Sequence, residues 1–279
     1  MRFLNPSAPP PPPVLPPPPA GLRRASSDTW LAIHTQPWNV VAIDGNIGSG
    51  KSTLVRNLRA ELERRGRAVA ELPSPGLGGG ETSPAFMCAT ERTHEWKRIL
   101  PLYYKDTARW AFPFQMQCLL SHIRTMREAE ATGARLLITE RSPMATQHVF
   151  GSLLQKEGLI TPEETELFEG YVEELAWRPD HVLFLECPAE ECERRILARS
   201  RDGEGGIPLA YLQSVDAAYS EFLADYEAQG FGVHRLSTFT ATEEEVLAQV
   251  LQKLEVIGDG GAAPTKAAGR DPLGLSPSR

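Results

Sequence analysis

Residues 44–53 read DGNIGSGKST. Gly45, Gly50, Lys51 and Ser52 fit G-x-x-x-x-G-K-[ST], a pattern whose glycines let successive backbone N–H groups converge on phosphate oxygens. The apolar run NVVAID (39–44) precedes it. KSTLVRNLRAELERRG (51–66) follows, with Leu54, Leu58 and Leu62 one turn apart and Gly66 as a stop. That order is strand, glycine loop, helix, and the helix N-terminus adds a favourable partial charge for an anion. Gly45, Asn46, Ile47, Gly48, Ser49, Gly50, Lys51, Ser52 and Thr53 are therefore the expected phosphate-binding residues, with Lys51 on the outer phosphates and the Ser52 hydroxyl as a ligand of Mg²⁺. A glycine-rich turn without function is the competing reading, and the flanking strand and helix speak against it.

Working outward, short apolar runs alternate with helical patterns. RAVAEL (67–72), ARLLITE (134–140), HVLFLEC (181–187) and GVHRLS (232–237) read as further strands. Helices are expected across 106–131, 188–200 and 242–254. Strands that are apolar throughout and separated by helices imply an α/β fold, a central parallel sheet of about five strands covered by helices on both faces. Ligands of such sheets sit beyond the carboxyl ends of the strands. The 279 residues, 41% of them hydrophobic, suffice for one sizeable core. That core is expected in a domain at 38–257. Proline fills much of 1–37, which favours an extended, disordered tail, or a ligand for proline-binding domains. The Gly/Pro/Ser-rich stretch 258–279 is expected to be loose.

A net charge of −7 speaks against sequence-independent nucleic-acid binding. No apolar run reaches the ~18 residues of a membrane span. The cysteines at 88, 118, 187 and 192 form no CxxC pair, which points away from structural zinc or a disulfide framework and towards a reducing compartment. Cytoplasmic residence is expected, with the arginines before Asp28 leaving a mitochondrial alternative.

Several residues beyond the loop carry chemistry. Glu140 ends an apolar strand and would anchor Mg²⁺ if that strand neighbours the loop; Ser142-Pro143 also reads as a helix start. Arg141 beside it is expected to make an exposed acid–base pair. Arg195, Arg199 and Arg201 lead into the glycine-rich stretch DGEGGIP (202–208), as a phosphate-closing lid or as cations suiting a helix C-terminus. YYKDTARWAFPFQMQ (103–117) sets Gln115 amid aromatics, an amide able to bind a nucleobase edge. Tyr104 offers a hydroxyl, Phe150 a ring for stacking, and Trp110 and Phe114 read as core.

With these stretches in view, the sequence resembles the deoxyribonucleoside kinase family, which includes deoxycytidine, deoxyguanosine and mitochondrial-type thymidine kinases. The resemblance rests on GNIGSGKST, on Tyr-Lys-Asp-x-x-x-Trp-Ala-x-Pro-Phe-Gln at 104–115, on ERS at 140–142 and on ARSRDGEGGIPLAYL at 198–212. It implies a P-loop nucleoside kinase fold with a short arginine-rich lid, a deoxyribonucleoside substrate, ATP and Mg²⁺, and a homodimer, for which the helix at 106–131 is a candidate surface. It also implies roles. Glu71 would be the general base, aided by Arg141, although the residues alone allow a solvated strand end there. Tyr104 and Glu204 would hold the sugar 3′-hydroxyl, Gln115 would read the base, Phe150 would stack, and Arg199 and Arg201 would close the lid. One departure stands out: the family shows Glu-Pro-Val and then a tryptophan, whereas ELPSPGLGGGETSPAF follows here without one. Base choice in the family depends on positions that fall near His122 and Thr146. His122 would bond a base or face solvent, and Thr146 leaves room for a methyl group. A nucleoside monophosphate kinase and a non-catalytic nucleotide-binding regulator are the competing functions.

Overall fold

The computed structural model describes residues 39–67, 69–70, 86–199 and 207–258. Its strands are β1 (Asn39–Gly45), β2 (Val69–Ala70), β3 (Phe86–Ala89), β4 (Leu136–Glu140), β5 (His181–Glu186) and β6 (Gly232–Ser237). They form one parallel sheet in the order β2-β3-β4-β1-β5-β6. The sheet thus has six strands where about five were expected. The additional one is β3, FMCA, a run too short for any period to show.

The longer helices are α1 (Lys51–Arg64), α2 (Thr107–Thr132), α3 (Pro162–Leu175), α4 (Ala189–Arg199), α5 (Leu209–Ala228) and α6 (Glu243–Gly258). Local chemistry sets several of their ends. Asp106 accepts from the Arg109 N–H at the start of α2, and Gly133 at φ 68 closes it. Thr161 and Glu164 form a reciprocal capping box ahead of α3.

Leu54, Leu58 and Leu62 of α1 and Val250 and Leu254 of α6 cover one face of the sheet, against Val41, Ile43, Ile138, Leu183 and Leu185. Leu119 of α2, Phe168 and Val172 of α3, and Tyr219 and Phe222 of α5 cover the other, against Val182. Burial on both faces is why the strands carry no polar alternation. Leu58 is fully buried, so cutting it to alanine would cost ~2–5 kcal/mol.

β1 lies between β4 and β5, with Ile43 beside Glu140 and Gly45 beside Leu185. The loop leaving β1 therefore opens into the crevice where strand order reverses. The proline-rich segment 1–37, residues 71–85, the stretch 200–206 expected as a lid, and residues 259–279 lie outside the described residues. α6 runs through Gly258, where the sequence had placed the start of a tail.

Candidate active site

The phosphate loop is shaped by its glycines and tied down by Asn46. Gly48 has φ 85, and a Cβ there would meet the Cys192 carbonyl oxygen at 2.7 Å. Gly45 is crowded too, with Ser49 Oγ at 2.7 Å and the Leu185 carbonyl oxygen at 2.9 Å from such an atom. Both positions require glycine. Asn46 Nδ2 donates to the Leu212 carbonyl at 2.8 Å and to Asp216 at 2.6 Å, and its Oδ1 accepts from the Ile47 N–H. The loop is thereby pinned to α5. Lys51 is buried and donates to the Asn46 carbonyl at 2.7 Å. Burial, and secondarily the nearby Arg141 charge, pushes its ammonium down to about 8.

Because β1 and β4 are neighbours, Glu140 reaches the loop. Its Oε1 accepts from Ser52 Oγ at 2.7 Å and its Oε2 from the Glu91 N–H at 3.1 Å. A hydroxyl and a carboxylate at the head of α1 form a set of hard oxygen donors, which fits Mg²⁺.

Arg141 does not make the exposed pair expected of it. It is buried, and its partner is Glu91, whose Oε1 lies 2.7 Å from Nε. Nη1 donates to Tyr219 Oη at 2.6 Å and to the Gly45 carbonyl at 3.2 Å, and the guanidinium stands 4.6 Å from the centre of the Phe150 ring. The reason is positional. The residue after β4 turns inward at φ 62, back over the end of β1.

Glu91 was not singled out by the sequence reading, and neither was Trp96. β3 ends at Ala89, pairs directly with β4, and delivers Glu91 beside Arg141. Glu71 lies outside the described residues, but the strand before it, β2, is at the sheet edge with β3 between it and β4. A legible signal existed. The glutamate-then-tryptophan pattern missing after residue 71 occurs at TERTHEW, as Glu91 and Trp96. Burial raises the Glu91 carboxyl above the usual range, opposed chiefly by Arg141.

Of the other residues expected at the acceptor, Tyr104, Gln115 and Phe150 line the same cleft, of about 1790 Å³, which also reaches the phosphate loop. Gln115 is buried on α2, and among the described residues its Oε1 has no hydrogen-bond partner. Trp96 donates from Nε1 to Ser121 Oγ at 3.1 Å and meets Phe114 edge-on at 5.6 Å. Phe114, expected in the core, lines the cleft; Trp110 is half-buried with Arg109 at 5.5 Å from its ring. Of the two outcomes posed for His122, facing solvent is excluded. It is buried, and its Nε2 lies 3.1 Å from Thr146 Oγ1. Thr146 Oγ1 also lies 3.2 Å from the Ser142 carbonyl, and the imidazole tautomer sets which partner donates in the His122–Thr146 bond. Burial pushes His122 down to about 3.

Of the arginines expected at a lid, Arg195 is tied to Glu191 at 2.7 Å and to the Thr238 carbonyl at 2.7 Å. Arg199 lines the cleft at the end of α4; Arg201 and Glu204 lie outside the described residues.

A model of the deoxynucleoside kinase family matches residues 41–256. The chain belongs to the deoxynucleoside kinase family. Relatives within reach agree on that level. A thymidine kinase of Ictalurid herpesvirus 1 (strain Auburn) is 32% identical over 219 residues, covering 77% of this chain and 85% of its own length. A putative deoxynucleoside kinase of Frog virus 3 (isolate Goorha) is 28% identical over 218 residues, 78% of this chain and 94% of the relative. The deoxycytidine kinase of Rattus norvegicus is 28% identical over 197 residues, 66% and 74% of the two chains. For a deoxynucleoside kinase, a nucleoside substrate and ATP are the family's expected ligands. Among the described residues no helix is long and apolar enough to cross a membrane.

Proposed function

We propose that this protein is a deoxyribonucleoside kinase that transfers the γ-phosphoryl of ATP to the 5′-hydroxyl of a deoxyribonucleoside. The observation that carries the reading is the Glu91–Arg141 pair, 2.7 Å apart, in the cleft that also holds the phosphate loop.

Glu91, rather than Glu71, takes the proton of the 5′-hydroxyl. Its burial makes the carboxylate a better base, and Arg141 aims it. The 5′-oxygen bonds to the γ-phosphorus as the bond to the bridging oxygen of ATP breaks in line, leaving ADP and the nucleoside 5′-monophosphate. Lys51 exchanges the Asn46 carbonyl for the outer phosphates, and Arg199 and Arg201 close over them. Ser52 and Glu140 would hold Mg²⁺, which would neutralise charge on the phosphates. Tyr104 and Glu204 hold the 3′-hydroxyl, Gln115 reads the base, and Phe150 and Trp96 border it. Catalysis in this scheme is positioning and charge neutralisation.

A homodimer belongs to the proposal: Leu120 of α2 and Leu167, Tyr171 and Leu175 of α3 are exposed apolar side chains on these helices. Light scattering checks it, and a monomer across micromolar concentrations refutes it.

The activity is tested by ATP-dependent phosphorylation of thymidine, deoxycytidine, deoxyadenosine and deoxyguanosine, with thymidylate as control. Turnover of a nucleoside but not of thymidylate is expected. Turnover of thymidylate alone would make the protein a monophosphate kinase. ATP binding with no turnover of any would make it a nucleotide-binding regulator.

A further inference from the structure

The Tyr219 hydroxyl stands between two charged groups of the site. Arg141 Nη1 donates to it at 2.6 Å, and it donates to Asp44 Oδ1 at 3.2 Å. The direction is fixed, because a guanidinium can only donate and a phenol has one proton to give. Ser142 Oγ donates to the other oxygen, Asp44 Oδ2, at 3.4 Å. Asp44 and Tyr219 are fully buried. Asp44 directly precedes Gly45, whose carbonyl also accepts from Arg141. The chain of bonds therefore runs from Glu91 through Arg141 and Tyr219 to the root of the phosphate loop.

Arg141 needs such support. Among the described residues it is the non-glycine residue in the left-handed region, at φ 62. That conformation is strained for an L-residue with a side chain and persists only where the surroundings over-determine it. The Tyr219 ring has an ordinary role, packing against Phe184 at 5.1 Å and Phe150 at 6.3 Å. Packing does not account for the hydroxyl, which phenylalanine would lack at no cost to the ring contacts.

We propose that Tyr219 and Asp44 are positioning residues of the phosphoryl transfer, fixing the Arg141 guanidinium and through it the Glu91 carboxylate against the phosphate loop. The inference rests on the kinase reading above. Neither residue lines the cleft. Burial raises the Asp44 carboxyl to about 6, with Arg141, Lys51, Tyr219 and Ser142 pulling the other way, and its two oxygens accept from Tyr219 and Ser142. Burial also raises the Tyr219 phenol, which keeps its proton for Asp44.

The test is Tyr219→Phe, assayed on whichever nucleoside the wild type phosphorylates. The expected result is a fall in kcat of roughly ten- to a hundredfold, with KM for ATP changed by less than about twofold. In a Glu91→Gln background the same substitution should add little, because it acts through Glu91. A wild-type kcat in Tyr219→Phe, or full additivity with Glu91→Gln, overturns the inference while leaving the kinase reading intact. A wild type inactive on every nucleoside overturns that reading and this inference with it. If Tyr219→Phe does not fold, Asp44→Asn takes its place with the same expectation. Failure of both to fold overturns the inference, since the pair would then serve the core alone.

Discussion

The phosphate loop is a single run, residues 45–53, whereas Glu91, Trp96, Gln115, Arg141 and Phe150 reach the other part of the cleft from separate segments of the fold. The phosphate loop gets its shape from glycines at positive φ, a property of the residues themselves. Arg141 also has a positive φ, but a salt bridge to Glu91, a tyrosine from α5 and a carbonyl from β1 hold it there. One end is therefore specified locally. The other exists only once β3, β4 and α5 have met. Substitutions at the two ends should consequently fail in different ways.

The largest effect is expected from Glu91→Gln. kcat should fall by ~10²–10⁴, with ATP binding by calorimetry unchanged and Glu71→Gln within a few-fold of wild type. If the two variants exchange behaviours, the acceptor carboxylate belongs to the edge strand and the assembly described here is wrong.

Gly48→Ala probes the donor end. The added methyl meets a backbone carbonyl at 2.7 Å, at a φ that L-residues rarely adopt. kcat/KM for ATP should drop on the order of a hundredfold, while the affinity for nucleoside in the absence of ATP stays put. A matching loss in nucleoside affinity would show that the two ends are not separable.

His122 gives the acceptor end a pH signature. Its pKa is about 3 in the folded chain, against 6.5 for the ordinary imidazole, so the folded state binds fewer protons in between. Its stabilising share is complete above pH 6.5 and is lost as pH falls towards 3. Between pH 7 and pH 5 the wild type should lose about 2 kcal/mol relative to His122→Gln, read from urea midpoints. The comparison must be made against the variant, because Asp44, with its raised pKa, shifts stability in the opposite sense over the same range. A constant difference across that range would mean that the imidazole is hydrated.

The smallest effect is expected at Trp96→Phe. It removes the hydrogen bond to Ser121 Oγ, worth about 1 kcal/mol, and should raise KM for the nucleoside several-fold without altering KM for ATP. An unchanged nucleoside KM would take Trp96 out of the base wall.

Residues 44–53 were sufficient by themselves to place a phosphate-binding loop, its strand and its helix, because glycine φ preferences and a one-turn leucine spacing act over a few residues. The apolar runs likewise determined a parallel sheet with helices on both faces. Glu140 was legible as a strand end, and its reach to Ser52 awaited only the neighbouring of β1 and β4. What tertiary structure decided lies at longer range. β3 is four residues of unremarkable apolar sequence, and only its insertion between β2 and β4 brings Glu91 to Arg141. No local pattern announces that Tyr219 bonds Arg141, 78 positions away, or that His122 pairs with Thr146. Such contacts depend on strand order and helix packing, which a chain reaches by burying its apolar faces together, and the polar groups carried along must then find partners in that interior.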